Sequence, residues 1–360
     1  MTLRTNLSTG PVEVSMEVLN ALSAHPMSHR SLAFKDLYSK ATGILCSAFH
    51  VSETFILTGS GTMANECMLQ EIKTVGGQGL ILSNGEFGLR LINQARRNNI
   101  LFMPHQLAWG EIFDLGEVDR LIREHAIQWI LFCHCETSTG VINDLRGLAS
   151  LCSANNSRCF VDCMSTAGTA PLDLSAVTMA TASSGKGLSS IPGLALVFCN
   201  AKPALKTTSP VYLDLANYQT CDGIPFTLSS NLLQALCTAL EQKLTAKQFN
   251  NSRLIAEKVY ACLTERNLVP FATSDTRVFT IIPQVSEDAA FLRILGQQVV
   301  LSRESDYLRT RGWQQLAVFG CYNTSHVQDV GQALRAAVDG TYKKSLVHCP
   351  PGDVRIQQQE

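Results

Sequence analysis

Short apolar segments alternate with helical patterns between about residues 53 and 200, and this alternation limits the possible folds more than any other feature of the chain. Segments of this kind, bounded by Gly, Ser, Asn and Asp, are typical of buried strands. We predict strands near 53–58, 79–82, 100–104, 127–133, 158–162, 176–182 and 194–198. Strands that are joined through helices pair in parallel and are covered by helices on both faces. The sequence therefore predicts an α/β fold with a mainly parallel sheet.

The pattern changes after residue 200 and predicts a second, smaller α+β domain. We divide the chain into an N-terminal arm (1–15), a large domain (16–245), a small domain (246–345) and a loose tail (346–360). Further helices are predicted at 12–22, 31–49, 228–244, 248–264 and 327–338, and further strands at 278–282 and 315–319.

The chain is poor in charge, with 16% charged residues against about 25% in an average protein. Such a surface favours burial in a homo-oligomer. The near balance of 29 basic and 30 acidic residues gives no electrostatic reason for nucleic-acid or anionic-membrane binding. No apolar run approaches the roughly 20 residues of a transmembrane helix, and the first residues lack the apolar stretch of a signal peptide. We expect a cytoplasmic protein.

Thirteen cysteines are scattered through apolar runs, and we expect reduced, buried thiols. The alternative is a metal site built from Cys133-His134-Cys135 with Cys159 and Cys163. Adjacent strand residues point to opposite faces, and no pair of cysteines is separated by two residues. We therefore expect no metal.

One lysine lies on a tight connection between two predicted strands. The segment 181–193 is small, polar and Gly-rich, and Lys186 is its single lysine. Burial there disfavours the ammonium form, lowers the pKa of the amine and makes it nucleophilic, as a Schiff-base lysine requires. The alternative is a solvated lysine on a flexible loop.

The predicted strand 53–58 runs into Gly59-Ser60-Gly61-Thr62 and then into a helical pattern. Free N–H groups and the dipole at such a helix start favour a phosphate. A plain helix start without a ligand is the alternative, since neither the Walker pattern nor a complete GxGxxG is present.

Five chemically useful residues fall just past predicted strand ends or between them, namely Ser60, Phe87, Thr137, Asp162 and Lys186. In a parallel sheet the carboxyl ends of the strands meet at one edge, where ligands bind. The sequence therefore predicts one site at this edge.

With these residues in order, the chain resembles the class V group of pyridoxal-phosphate aminotransferases, of fold type I, across nearly its whole length. Alanine–glyoxylate, serine–glyoxylate and 2-aminoethylphosphonate aminotransferases are similar in pattern. The resemblance rests on Thr58-Gly59-Ser60-Gly61-Thr62, Asn84-Gly85-Glu86-Phe87-Gly88, Glu136-Thr137-Ser138-Thr139-Gly140, Val161-Asp162 and Ser184-Gly185-Lys186. It implies a seven-stranded sheet in the large domain and pyridoxal 5'-phosphate as cofactor.

The resemblance also implies residue roles. Lys186 would hold the cofactor as a Schiff base and then carry a proton, and Asp162 would pair with the ring nitrogen. Phe87 would stack on the ring, with Thr137 beside it and Ser184 nearby. Ser60, Gly61 and Thr62 would bind the phosphate. Thr227 would reach the phosphate of a neighbouring subunit, which implies a homodimer with shared sites.

Two positions depart from the pattern of the group. Gly185 stands where relatives often carry Gln or Asn. Gln315 stands where the C-terminal strand usually carries an arginine that binds the acid group of the substrate. Either the substrate lacks that group or another arginine binds it. The candidate substrate residues are therefore Gly10, Arg30, Gln315, Arg303 and Arg311, with Arg309 a further alternative.

The function expected from the resemblance is transfer of an amino group from a small amino acid or aminophosphonate to a 2-oxo acid or aldehyde. Another reaction of the same cofactor, by a lyase or desulfurase, is an alternative, although a desulfurase needs a mobile nucleophilic cysteine. The late cysteines Cys321 and Cys349 do not lie in a Gly/Ser-rich loop. A binding or regulatory protein without catalysis is the third possibility.

Overall fold

A computed structural model gives the fold of the chain and describes residues 4–203, 209–265, 279–283 and 289–339. Its central sheet has seven strands in the order β2-β10-β9-β8-β5-β3-β4. These strands are β2 (Glu53–Thr58), β3 (Gly79–Ser83), β4 (Phe102–Gln106), β5 (Trp129–Cys133), β8 (Arg158–Asp162), β9 (Met179–Ser183) and β10 (Leu194–Cys199). The predicted α/β class and the mainly parallel sheet are confirmed.

Strand β10 is antiparallel to both of its neighbours, β2 and β9, whereas the other pairings in the sheet are parallel. Two antiparallel pairings in succession restore the direction, so β2 runs the same way as β9. The carboxyl ends of β2, β3, β5, β8 and β9 therefore lie at one edge. This geometry brings together the loops that follow these strands.

Helices cover both faces of the sheet, which is buried on each side. Along β5, Ile130 and Phe132 pack into one core while Trp129 and Leu131 pack into the other. The period of two in this burial follows from the pleat of a strand. The helices around the sheet are α1 (Met16–Leu22), α2 (Leu32–Phe49), α3 (Gly61–Val75), α4 (Glu86–Arg97), α5 (Leu115–Glu124), α6 (Leu145–Ala154), α7 (Leu215–Thr220) and α8 (Ser230–Lys243).

A third apolar core belongs to the C-terminal part of the chain. Its elements are α9 (Ala246–Glu265), β11 (Phe279–Pro283), α10 (Ala289–Gln298), β12 (Val299–Val300), α11 (Asp306–Arg311), β13 (Trp313–Ala317) and α12 (Thr324–Asp339). The main chains of β11 and β13 pair antiparallel. Short strands β6 (Cys135–Glu136) and β7 (Val141–Ile142) form a separate hairpin.

The N-terminal arm is part of this third core. Strand β1 (Thr5–Asn6) pairs in parallel with β12, and Leu7 is fully buried among the residues of the C-terminal core. The amide of Thr9 donates to the Ser302 hydroxyl at 2.9 Å. The arm therefore ties the C-terminal part of the chain to the edge of the large sheet. The predicted domain limits stay a prediction, and the tail 346–360 lies outside the described residues.

Several predicted elements are displaced by two or more residues, and the local contacts explain three of these shifts. Helix α1 starts at Met16 rather than at residue 12, because Ser15 caps it by accepting from the Val18 amide. Strand β4 begins two residues late, since the amide of Ile100 donates to Ala95 at the end of α4. Strand β13 covers 313–317 instead of 315–319, in register with β11. Within the described ranges, no helix has both the length and the apolar character needed to cross a bilayer.

Candidate active site

A cavity of about 850 Å³ opens at the carboxyl edge of the central sheet. Its remaining walls are formed by residues 9–11 of the arm and by the segment 304–311. Among the residues predicted for the site, Gly10, Ser60, Gly61, Thr62, Phe87, Asp162, Lys186 and Arg311 line this cavity. The structure thus brings together most of the residues that the sequence indicated.

Lys186 is held by a compact loop between β9 and β10. The hydroxyl of Ser184 donates to the Ile191 carbonyl at 2.6 Å and accepts from the Leu194 amide at 3.2 Å, which closes the loop. Ser184 therefore stabilises the loop. It does not line the cavity, although it was predicted to lie near the cofactor. A Cβ at Gly185 would lie 2.7 Å from Pro192, so this close packing explains why no larger residue precedes the lysine.

The Lys186 amine faces the cavity beside an aromatic ring, with its Nζ 5.4 Å from the centroid of Phe87. Burial lowers the pKa of Lys186 below its ordinary value, and the nearby Asp162 carboxylate partly offsets this effect. Among the described residues, no carboxylate lies within ion-pair distance of this amine. Desolvation therefore shifts this amine towards its neutral, nucleophilic form.

Asp162 is the last residue of β8, and its carboxylate is nearly buried at the bottom of the cavity. One oxygen accepts from the Met164 amide at 2.9 Å, and the other accepts from the Asn65 amide group at 2.8 Å. Burial raises the pKa of Asp162, and these two hydrogen bonds oppose that shift. A cationic ligand group at this position would favour the ionised carboxylate.

Asn65 was not predicted as a site residue. Its side-chain oxygen accepts from the Thr181 hydroxyl at 2.6 Å while its nitrogen donates to Asp162, so it fixes the carboxylate from the side of helix α3. Asparagine is unfavourable inside a helix because its side chain competes for backbone groups. A buried asparagine one turn after the Gly-Ser-Gly segment was the signal that could have identified it.

Helix α3 begins at the cavity wall directly after β2. Ser60 occupies its N-cap position, yet the Ser60 side chain makes no capping hydrogen bond. A Cβ at Gly61 would lie 2.4 Å from the sulfur of Met164, so glycine allows this close approach. The Ser60 and Thr62 side chains and the positive end of the helix dipole are thus directed to the cavity wall, where an anion is favoured.

Phe87 is positioned by a buried carboxylate that the sequence analysis did not assign. Glu136 accepts from the amides of Phe87 and Gly88, the latter at 2.9 Å, and from the hydroxyl of Ser138. It therefore satisfies the first turn of α4, which holds Phe87 at the cavity. Burial raises the pKa of Glu136, while these hydrogen bonds oppose the shift.

Arg90, one turn beyond Phe87 on α4, was also missed. Its guanidinium lies 4.8 Å from the centroid of the Phe87 ring and lines the cavity. It also contacts Glu86 at 3.6 Å. An arginine one helical turn after an aromatic residue at a strand end was the available signal.

Comparison with known proteins places the chain in a family. The family profile described as "Aminotransferase class-V" matches residues 14–216, which include β2 to β10 and both Asp162 and Lys186. The chain belongs to the class-V aminotransferase family.

Individual relatives match part of the chain. The "Soluble hydrogenase 42 kDa subunit" of Anabaena cylindrica is 30% identical over 245 residues, which are 64% of each chain. The 2-aminoethylphosphonate–pyruvate transaminase of Pseudomonas putida is 32% identical over 196 residues, covering 52% of this chain and 53% of the relative. This chain thus spans less than two thirds of either relative. Because the two names denote different activities, family membership alone does not define the reaction of this chain.

The fold is shared over a longer stretch. The subgroup IV aspartate aminotransferase of Thermus thermophilus superposes with a TM-score of 0.83 at 24% identity, covering 93% of this chain and 99% of that structure. The likeness shows that this class-V family member has the fold of solved aminotransferases, as the sequence predicted.

Two residues expected at the site lie behind its wall. Thr137 is buried and does not line the cavity, because the β6–β7 hairpin turns it away. Its carbonyl accepts a hydrogen bond from the side-chain amide of Gln315. The side-chain oxygen of Gln315 accepts from the Tyr307 hydroxyl at 3.0 Å. Gln315 is fully buried and its amide is engaged on both sides, so the predicted substrate contact is not seen.

The candidate arginines separate clearly. Arg303 is exposed and paired with Glu304 at 3.2 Å, and Arg309 is paired with Asp306; neither lines the cavity. Arg30 lines a different surface pocket together with Asp222 and Pro225. Of the arginines considered from the sequence, Arg311 reaches the main cavity.

Thr227 is exposed on the loop before α8 and lies outside the cavity of its own chain. Its predicted contact with a neighbouring subunit stays a prediction.

The cysteine and histidine segment near β5 serves packing. His134 is half-buried with its Nδ1 3.0 Å from the Thr166 hydroxyl, and desolvation lowers its pKa to about 4. Burial raises the pKa values of the Cys133 and Cys135 thiols. Across the described part of the chain, no three metal-binding side chains are grouped to hold an ion.

Proposed function

We propose that this chain is a pyridoxal-phosphate-dependent aminotransferase that moves an amino group from a small amino acid or aminophosphonate to a 2-oxo acid or aldehyde. The main support is that an amine of lowered pKa, Lys186, and a buried carboxylate, Asp162, face one cavity that also contains the start of helix α3. These three features match the aldehyde, the ring nitrogen and the phosphate of that cofactor.

The start of α3 suits the phosphate. It offers backbone N–H groups, the helix dipole and the hydroxyls of Ser60 and Thr62, with Ser60 not used as a helix cap. No acidic residue lies in the first turn of this helix to compete for these groups.

Asp162 suits the nitrogen of the ring. Burial alone disfavours its charge, but a protonated ring nitrogen in contact would stabilise the carboxylate, which in turn would hold the proton at that nitrogen. Asn65 and the Met164 amide fix the orientation of the carboxylate, so little rearrangement would be needed on binding.

Phe87 and Lys186 suit the ring itself and its reactive carbon. The Phe87 ring can cover one face of a planar ligand, and Glu136 keeps it in place. When bound, pyridoxal phosphate supplies an electron-accepting ring that stabilises the charge left after a proton leaves the amino-bearing carbon. The amine of Lys186, whose pKa is lowered by burial, is placed to hold the cofactor and to accept and return that proton.

The donor class is suggested by the relatives, among them the 2-aminoethylphosphonate–pyruvate transaminase of Pseudomonas putida.

We further propose a homodimer in which Thr227 of each subunit contacts the other's site, supported by its exposed position and the low charge content. The cysteines of the described ranges carry free thiols, which supports a reducing compartment such as the cytoplasm.

The proposal is tested by the visible absorbance of the protein purified with pyridoxal phosphate. We expect a band of the attached cofactor that changes as alanine, serine or 2-aminoethylphosphonate is added singly. A band that forms but responds to no amino donor would argue for a binding protein. Absence of any band would contradict the cofactor assignment.

A further inference from the structure

One wall of the cavity carries an arginine, Arg311, that has no ion-pair partner among the described residues. The segment 303–311 contains three arginines and two acidic residues. Glu304 pairs with Arg303, and Asp306 pairs with Arg309; both acids line the cavity, but their arginine partners do not. Arg311 is the remaining arginine, and it lines the cavity. Among the described residues, no carboxylate lies within ion-pair distance of its guanidinium.

Aromatic rings, rather than an acid, hold this guanidinium in place. Its central carbon lies 3.7 Å from the centroid of the Trp109 ring and 5.5 Å from that of Trp313. Trp109 in turn contacts Tyr307, whose ring lies 6.2 Å from that of Phe87. Stacking on an indole face restricts the arginine while leaving its N–H groups at the edge free to bind an acid.

The segment that carries Arg311 is fastened to the large domain by Gln315. The Gln315 amide donates to the Thr137 carbonyl and accepts from the Tyr307 hydroxyl, so it links β13 and α11 to the β6–β7 hairpin. Gln315, which stands where the resemblance implies an arginine, is therefore a positioning residue for this segment.

We propose that Arg311 binds the acid group of the substrate, which makes the substrate an amino compound that carries a carboxylate or a phosphonate. The role of Arg311 in the reaction rests on the proposed function, whereas the binding of an acid by Arg311 does not depend on it. A planar guanidinium can donate two parallel hydrogen bonds to either oxyanion. Because Arg311 is exposed and lines the cavity, we expect it to act on substrate affinity.

The experiment compares Arg311→Ala with Arg303→Ala, which removes a neighbouring arginine outside the cavity. In cofactor-loaded protein we expect Arg311→Ala to raise the apparent KM of the amino donor between tenfold and a hundredfold, and Arg303→Ala to leave it within about twofold. Arg311→Lys should fall between the two, since lysine keeps the charge but lacks the planar pair of donors. Equal KM values in Arg311→Ala and Arg303→Ala would overturn the inference while leaving the aminotransferase proposal intact.

A second measurement does not depend on turnover. Calorimetric titration with acetate and with methylphosphonate distinguishes the two acids, and we expect whichever one binds wild-type protein to bind Arg311→Ala at least tenfold more weakly. Tighter binding of methylphosphonate would identify a phosphonate substrate, and tighter binding of acetate a carboxylate. Failure of the wild-type protein to bind either acid, or unchanged binding by Arg311→Ala, would overturn the inference.

Discussion

Two lysines with lowered pKa values lie in contrasting surroundings, the half-buried Lys186 at the cavity and the fully buried Lys243 at the end of helix α8. Burial lowers the pKa of both amines, in Lys243 from 10.5 to about 8. The Lys243 amine donates to the Gly320 carbonyl and lies 5.9 Å from the centroid of the Tyr322 ring, with no exposed surface. The Lys186 amine faces open volume instead.

This difference shows that a lowered pKa alone does not identify a functional lysine. Both amines are shifted towards the neutral form by the same cause, desolvation. The Lys243 amine bonds to Gly320 and so joins α8 to the residues after β13. The Lys186 amine instead lies beside space for a ligand, in the same cavity as the Asp162 carboxylate. We therefore assign chemistry to the cavity and stability to the packed junction, and four changes test this assignment.

The largest effect is expected from Lys186→Ala. It removes the group that would hold the cofactor and move the proton, so turnover should fall by at least about 10⁴-fold. The free energy of unfolding should not decrease, because the lost amine was buried without a carboxylate partner. Steady-state turnover and thermal unfolding measure the two effects, and a variant with substantial activity would assign the chemistry to another lysine.

Asp162→Asn should slow turnover by about 10²–10⁴-fold, because an amide cannot hold a proton at the ring nitrogen through its charge. The Asp162 carboxylate raises the pKa of Lys186, so its loss should also shift the pH dependence of cofactor attachment to lower pH. Asp36→Asn, on the exposed surface of α2, is the control. Wild-type turnover in Asp162→Asn would place the essential carboxylate elsewhere.

The cavity residues at the edge of the central sheet could largely be predicted, because they follow strands whose direction can be inferred from the sequence. Asp162 and Lys186 needed no knowledge of distant contacts. Asn65, Glu136 and Arg90 were missed because their roles depend on partners elsewhere in the chain.

The opposite wall was harder to predict because it is built by the C-terminal part of the chain. The resemblance implied that Gln315 stands where an arginine is usual, but the sequence did not show that its amide bonds to Thr137 and Tyr307. The choice between Arg303 and Arg311 likewise depended on which arginine pairs with a neighbouring acid. Spacing along the sequence does not give that pairing.

Lys243→Met should change how stability depends on pH. In the folded chain the amine loses its proton near pH 8, whereas in the unfolded chain it keeps the proton to about pH 10.5. Between these values the unfolded state binds more protons, so the wild-type free energy of unfolding should gain about 3 kcal/mol from this group as the pH rises from 8 to 10.5. Chemical denaturation at several pH values should show this gain in wild type and in Lys73→Met, an exposed control. The same gain in Lys243→Met would show that Lys243 is not its source.

Gln315→Ala should have the smallest effect. It leaves the buried Thr137 carbonyl and the Tyr307 hydroxyl without their partner, which should lower the free energy of unfolding by about 1–3 kcal/mol. The donor KM should rise only a few-fold, since Arg311 stays in place on its tryptophans. Gln314→Ala, one residue earlier and half-buried, is the control. An effect no larger than that of the control would remove the anchoring role of Gln315.

The assignment of chemistry to Lys186 is tested most directly by reducing the cofactor-loaded wild-type protein with borohydride and mapping the labelled peptide by mass spectrometry. We expect the cofactor on the peptide that contains Lys186 and an unmodified peptide for Lys243. A label on Lys243 or on any other lysine, or no label in protein that turns over, would contradict the account.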